Sequence, residues 1–251
     1  MNEIFSALRS GFGFLTTIPV GITMEGIEKL MKHIYLFPVV GAVLGAIIGS
    51  IGFASSMIFP PLLTSLVVIA SIYYFTGINH IDGLADFGDG VVAHGTKEKK
   101  IAAMRDTAVG IGGLIFCMVT ILGIFSSIIS IQDINVPILL PLIVAETSAK
   151  QSMVTVAAFG RKLHEGLGAM TVENTKKSDF IIGMVFTGAV SYLVLGVFGI
   201  EAFIVSQLAG LLVLNAANHH FGGVSGDVAG ASNEIGRLAA LLFMGGLAWT
   251  Q

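Results

Sequence analysis

Charged side chains are scarce in this sequence, at 12% of 251 residues, and cysteine occurs once. A chain with so little charge, 54% hydrophobic residues and a mean hydropathy of +0.88 falls outside the ordinary soluble class and inside the membrane class. A formal net charge of −3 offers no basic surface for nucleic acid, which is excluded as a partner. The lone cysteine, Cys117, lies in an apolar run, so a disulfide framework and a thiolate metal site are both excluded. No basic segment followed by a clear apolar core opens the chain, and the N-terminus reads as mature protein rather than a cleaved signal. Internal repeats and low-complexity segments are absent.

What is there is a series of long apolar runs. Residues 1–35 read as an amphipathic segment on the membrane surface, with Ile4, Phe5, Leu8, Phe12 and Leu15 at helical spacing. Spans are expected at Leu36–Phe59, Leu62–Ile78, Ile111–Ile131, Val136–Phe159, Phe180–Ile200 and Ala202–Phe221, with a shorter one at Leu238–Thr250. Very short connections at Pro60-Pro61 and Glu201 imply antiparallel hairpins. Gly41, Gly45 and Gly49 clear one face of the first span for close helix approach, which also permits a homo-oligomer. The basic residues gather in the segments 1–35, the loop near 97–105, 160–179 and 222–237, where Arg237 is included. The opposite connections have none, so the charged motifs are expected at the cytoplasmic face of the cell membrane. The fold class is therefore an all-α polytopic integral membrane helical bundle with six or seven spans and a polar active site at its cytoplasmic face, forming one domain over 1–251. Within the fourth span Glu146 and Lys150 stand at i, i+4, spaced for a salt bridge or for lining a polar cavity.

The chain is organised around residues 77–113, the central Asp-rich stretch. If its first part is helical, Asn79, Asp82, Asp86 and Asp89 fall on one stripe. Carboxylates so clustered repel one another unless a cation sits among them, and Mg²⁺, or Mn²⁺, suits oxygen ligands that are shared with substrate phosphates. Gly83, Gly88 and Gly90 would let a bulky anion approach the backbone, and Lys97, Lys99, Lys100 and Arg105 could neutralise phosphate oxygens. A zinc site from His80 and His94 lacks the ligand spacing. A glycine-rich turn, His219 to Asp227, adds Ser225 and Asp227 as an anion nest beside a further carboxylate, and Arg161 to Gly168 forms a third polar loop. On one face these features read as a phosphate-handling enzyme.

The sequence resembles the cobalamin synthases, the adenosylcobinamide-GDP ribazoletransferases. The resemblance rests on His80-Ile-Asp82-Gly-Leu-Ala-Asp86 with Asp89-Gly90, on Met104-Arg105-Asp106-Thr107 with Gly110 and Gly113, and on Gly222-Gly223-Val-Ser-Gly226-Asp227. Phe37-Pro38, Glu165-Gly-Leu-Gly168 and Phe14 to Pro19 support it, over nearly the whole chain in the expected order. Thr17 stands where the early motif often has arginine, and Thr107 where serine is usual. The resemblance implies a transferase whose substrates are adenosylcobinamide-GDP and α-ribazole or its 5′-phosphate, and which releases GMP. It implies Asp82, Asp86 and Asp89 as metal ligands, one of the three also serving as base. Arg105 would stabilise the leaving phosphate, and Asp106 would lie in or just behind the metal shell. Ser225 and Asp227 would orient nucleotide or ribazole, with Lys150 as a phosphate contact and Asn79 and His80 at the substrate. A CDP-alcohol phosphotransferase would need an alanine-arginine pair after its first Asp-Gly, but Ala85 is followed by Asp86. A divalent-cation transporter would need acidic residues in several spans, and Glu146 is the one that stands out.

Overall fold

The computed structural model describes residues 3–134 and 136–246. In chain order the helices are α1 (Glu3–Leu15), α2 (Met24–Met31), a 3-10 turn (Ile34–Leu36), α3 (Phe37–Ser56), α4 (Pro61–Thr76), α5 (Asn79–Val92), α6 (Lys97–Met104), α7 (Ile111–Ile131), α8 (Leu139–Phe159), α9 (Leu167–Asn174), α10 (Lys177–His220) and α11 (Gly226–Gly246). Among the described residues the only extended pairing is an isolated bridge between Lys162 and Val224.

By length and composition three of these segments can cross a membrane, Ile34–Ser56, Ile111–Ile131 and Lys177–His220, with a fourth if the bent pair α4 and α5 is one span. The bend between that pair is 93°. Gly77 makes it, at a φ of 68° that favours glycine. Turned 93° from α4 and carrying the aspartate stripe, α5 is read as a helix laid across the bundle rather than a span.

The centre of the bundle is α8. Every residue from Leu142 to Ala157 except Ile143 is buried, although the helix carries Glu146, Thr147, Ser148, Lys150, Gln151, Ser152 and Thr155. This is the arrangement lipid imposes: α7, the most apolar helix, exposes its side chains, while the polar helix is covered on all sides by α3, α10 and α11. The expected glycine stripe seats α3 on α8. A Cβ on Gly41 would lie 2.6 Å from the Glu146 carbonyl oxygen, one on Gly45 2.6 Å from Ile143 Cα, and one on Gly49 2.8 Å from the Leu139 carbonyl oxygen.

The structure departs from the expected boundaries at several points. A straight α10 of 44 residues would be about 66 Å long. Instead Gly196, at φ 61°, folds it back on itself. Phe203 thereby lies against Gly188, residues that one straight helix would hold about 22 Å apart. The hairpin turns at Gly196 rather than Glu201, because only glycine adopts that φ without strain. The fourth expected span starts at Leu139, not Val136. The last is part of α11, which begins at Gly226, and residues 247–250 of the expected span lie outside the described residues. The N-terminal segment does more than lie on a surface. Ala7, Ser10, Gly11 and Leu15 of α1 are buried, and Thr17 bonds the end of α4, its backbone N–H to the Phe75 carbonyl at 2.8 Å and its hydroxyl to that of Tyr74 at 2.7 Å.

Candidate active site

The stripe forms as its period dictates: α5 carries Asn79, Asp82, Asp86 and Asp89 on one face, and its opposite side packs on α11 and α7. The glycines of α5 serve that packing, contrary to the expectation that they admit a ligand. A Cβ on Gly83 would lie 2.9 Å from Asp227 Cα, one on Gly88 would meet Phe116 and the Gly112 carbonyl, and one on Gly90 would meet Phe221. From the other side Gly230 of α11 approaches the His80 carbonyl to 3.1 Å by the same measure. The two glycine contacts let α5 and α11 touch backbone to backbone, which brings Asp227 beside Asp82 and Asp86.

A cavity of about 270 Å³ opens at this junction. Asn79, His80 and Asp82 enter from α5, Gly226, Asp227 and Ala229 from α11, and Leu167, Gly168 and Thr171 from α9, with Phe14, Phe37 and Met153 completing the wall. Phe14 and Phe37 stood only in supporting motifs and Leu167 and Gly168 in the third polar loop, while Thr171 and Met153 were not expected from sequence. Ser225 sits behind the wall. Its hydroxyl donates to Asp227 Oδ2 at 3.1 Å and accepts from Val228 N–H at 3.4 Å, so it caps α11 and orients Asp227.

Electrostatics mark the carboxylates. Burial, then Asp227, Asp82 and Asp89, push Asp86 up to about 7. No group of three His, Cys, Asp or Glu closes a ready-made metal site among the described residues. The chemistry of the donor set nevertheless fits a hard cation, because mutual repulsion among four carboxylates is what such an ion relieves.

The remaining expected residues are placed less centrally. Asp89 accepts from Gly110 N–H at 2.7 Å and Gly113 N–H at 2.9 Å, holding the N-terminus of α7. Arg105 and Asp106 are exposed after α6; the Asp106 carboxylate accepts from Ala108 N–H at 3.0 Å, and no hydrogen bond or ion pair among the described residues joins either side chain to the stripe. Lys100 donates to the Val91 carbonyl at 3.1 Å and to that of Ala93, capping α5, and Lys162 pairs with Glu165 and Glu173.

Behind the cavity lies a charged network that the spacing of Glu146 and Lys150 only hinted at. The two do not pair with each other. Glu146 is gripped by Arg237, Nε to Oε1 at 2.5 Å and a terminal nitrogen to Oε2 at 3.2 Å, and Arg237 also holds Glu234 at 2.6 Å. Lys150 donates to Asn233 Oδ1 at 2.7 Å and contacts His80 Nε2 at 2.9 Å. It thus stands behind His80, not among the residues of the cavity wall. Asn233 donates to Glu234 Oε1 at 3.0 Å and Tyr73 to Glu234 Oε2 at 3.3 Å. Glu146, Lys150, Asn233, Glu234 and Arg237 are all 0% exposed, so Arg237, expected among the cytoplasmic basic residues, belongs to the interior. The signal was present as three polar residues, Asn233, Glu234 and Arg237, at i, i+1 and i+4 in a helix read as a loop.

An all-helical bundle with membrane-length apolar segments, polar groups turned inward and a carboxylate-lined cavity where two helices touch has the architecture expected of a membrane enzyme that handles phosphate. The family model described as cobalamin-5-phosphate synthase matches residues 7–245, and the chain belongs to that family. It is 45% identical to a Methanosarcina barkeri protein over 100% of this chain and 99% of the relative, and 43% identical to one from Methanosarcina mazei over the same shares. A Thermococcus onnurineus protein is 34% identical over 91% of this chain and 93% of its own. All three are named adenosylcobinamide-GDP ribazoletransferase. No solved structure matches the chain.

Proposed function

We propose that this protein is an adenosylcobinamide-GDP ribazoletransferase, joining adenosylcobinamide-GDP with α-ribazole, or its 5′-phosphate, and releasing GMP. The observation that supports it is the meeting of two motifs 140 residues apart, the α5 stripe and the Gly222–Asp227 turn, at one cavity. The ribose hydroxyl of the acceptor attacks the cobinamide-linked phosphorus, the new O–P bond forms, and the bond to GMP breaks. A stripe carboxylate takes the hydroxyl proton. Asp82, Asp86, Asp89 and Asp227 would hold Mg²⁺, which when bound supplies positive charge against the pyrophosphate. Asp227, oriented by Ser225, and Asn79 position the substrates, and Phe14, Phe37 and Met153 exclude water from the cavity wall.

The reading extends to topology. Eleven of the 13 basic residues remain outside the bundle interior once Lys150 and Arg237 are set aside, and all eleven lie in the segments expected inside. With α10 counted as two arms, α3, α4, α7, α8 and α11 complete a multi-pass bundle whose carboxylates face the cytoplasm. Purified protein in detergent, given both substrates with and without Mg²⁺, is expected to release GMP only with the metal. Folded protein that releases none under any condition overturns the assignment.

A further inference from the structure

The buried network fixes which atom of His80 faces the substrate. Its direction is set at the far end. The Glu234 carboxylate only accepts, so the Asn233 amide nitrogen must point at it, which turns Asn233 Oδ1 toward Lys150. Lys150 therefore donates to Asn233. Charge balance favours the ammonium: Glu146 and Glu234 carry two negative charges and Arg237 one positive, with every side chain wholly buried, so a positive charge on Lys150 balances the core. An ammonium has no lone pair. The 2.9 Å contact to His80 Nε2 is then a donation from lysine to an unprotonated ring nitrogen. The ring proton of neutral His80 then sits on Nδ1, which makes no hydrogen bond among the described residues, on a residue that lines the cavity beside Asp82.

We propose that His80 is a catalytic hydrogen-bond donor through Nδ1–H, meeting a phosphoryl oxygen in the cavity, and that Lys150, Asn233, Glu234, Arg237 and Glu146 are positioning residues that lock this tautomer. A donor held in one tautomer by a buried ion array stabilises charge developing on phosphoryl oxygen without reorganising. The ring needs no proton exchange for this role, since it is a neutral donor before and after the step. The inference rests on the transferase reading only for the identity of the oxygen it meets.

Two substitutions separate the ring nitrogens. An asparagine amide occupies the place of Nδ1, and a glutamine amide reaches the place of Nε2 at Lys150. His80→Asn should retain GMP release within about 10-fold of wild type, while His80→Gln should lower kcat by about 100-fold or more with KM little changed. Lys150→Met should behave like His80→Gln, and Lys150→Arg, which keeps a charged donor, should recover part of the loss. Equal activity of His80→Asn and His80→Gln, or the reverse order in folded protein, overturns the proposal. The tautomer is read directly on wild-type protein labelled with ¹⁵N-histidine, the His80 signal assigned by its loss in His80→Asn, so no variant's folding decides the matter. Nδ1–H is expected; Nε2–H or an imidazolium at pH 7 refutes it. Protein that shows the Nδ1–H signal yet makes no GMP from the two substrates fails the transferase reading while leaving the tautomer assignment standing.

Discussion

Arg237 of α11 holds Glu146 of α8 through two hydrogen bonds, 2.5 and 3.2 Å, with neither side chain reaching solvent. Each is the other's main compensation for burial, and removing one leaves a bare charge in the core. Arg237→Met is expected to cost about 3–5 kcal/mol, read as a lowered thermal midpoint in detergent. Lys29→Met, which breaks the solvated pair with Glu25, should leave the midpoint nearly unchanged. Equal midpoints for the two variants would contradict the network.

Asp82 is exposed to the cavity and its carboxylate makes no hydrogen bond or ion pair among the described residues, so it is open to chemistry. Asp82→Asn should reduce GMP release by about 100-fold or more at an unchanged thermal midpoint. A variant that turns over like wild type would remove the stripe from the mechanism.

Asp86 titrates near 7 in the metal-free protein because burial and three carboxylate neighbours oppose its ionisation. Its folded pKa is raised, so the folded state holds a proton that the unfolded chain gives up at lower pH, and metal-free stability should fall as pH rises from about 4 to 7. A cation must displace that proton. Calorimetric titration with Mg²⁺ at pH 7 in buffers of different ionisation enthalpy should detect proton release, with affinity rising through this range, and Asp86→Asn should abolish the release.

The Asp89 carboxylate closes the first turn of α7 through Gly110 and Gly113. Asp89→Ala should cost about 0.5–2 kcal/mol of stability. Asp89→Asn keeps one acceptor oxygen and should recover much of that stability; if it also loses Mg²⁺ affinity, cap and ligand are two duties of one side chain. A midpoint unmoved by Asp89→Ala would remove the capping role.

Glycine substitution should split by site. Gly188→Ala meets its neighbours at ordinary contact distances of 3.8 Å and more, and should gain up to about 1 kcal/mol from helix propensity. Gly45→Ala gains the same propensity, but its methyl would press on Ile143 Cα, and overpacking of about 1–3 kcal/mol outweighs it. Midpoints that move in the same direction would show that α3 and α8 are not in backbone contact.

The features readable from sequence were those with a short period. Asn79, Asp82, Asp86 and Asp89 share a face because three steps along one helix say so, and Gly41, Gly45 and Gly49 announced a close contact without naming α8 as its partner. Arg237 and Glu146 are 91 residues apart, and spacing within one helix could offer Glu146 only Lys150. Nothing in the residue types distinguishes Gly196, which turns the chain, from Gly188, which continues a helix; the difference lies in φ. The glycines of α5 were read as room for a ligand because the neighbour that fills the room, Asp227, belongs to a helix whose start the sequence had placed twelve residues too late.

The fold-back at Gly196 also settles a matter of parity. Two arms that leave and return contribute an even number of passages, so the loop before Lys177 and the turn after His220 share one compartment whatever the rest of the chain does. That is why Lys162 and Val224 can bridge across them. The tip itself has open space around it, with no atom within 4 Å of where a Cβ on Gly196 would stand. If the two arms cross the membrane as proposed above, a reporter spliced there samples the compartment opposite to one spliced at either foot, and the pair of fusions orients the molecule from a single loop.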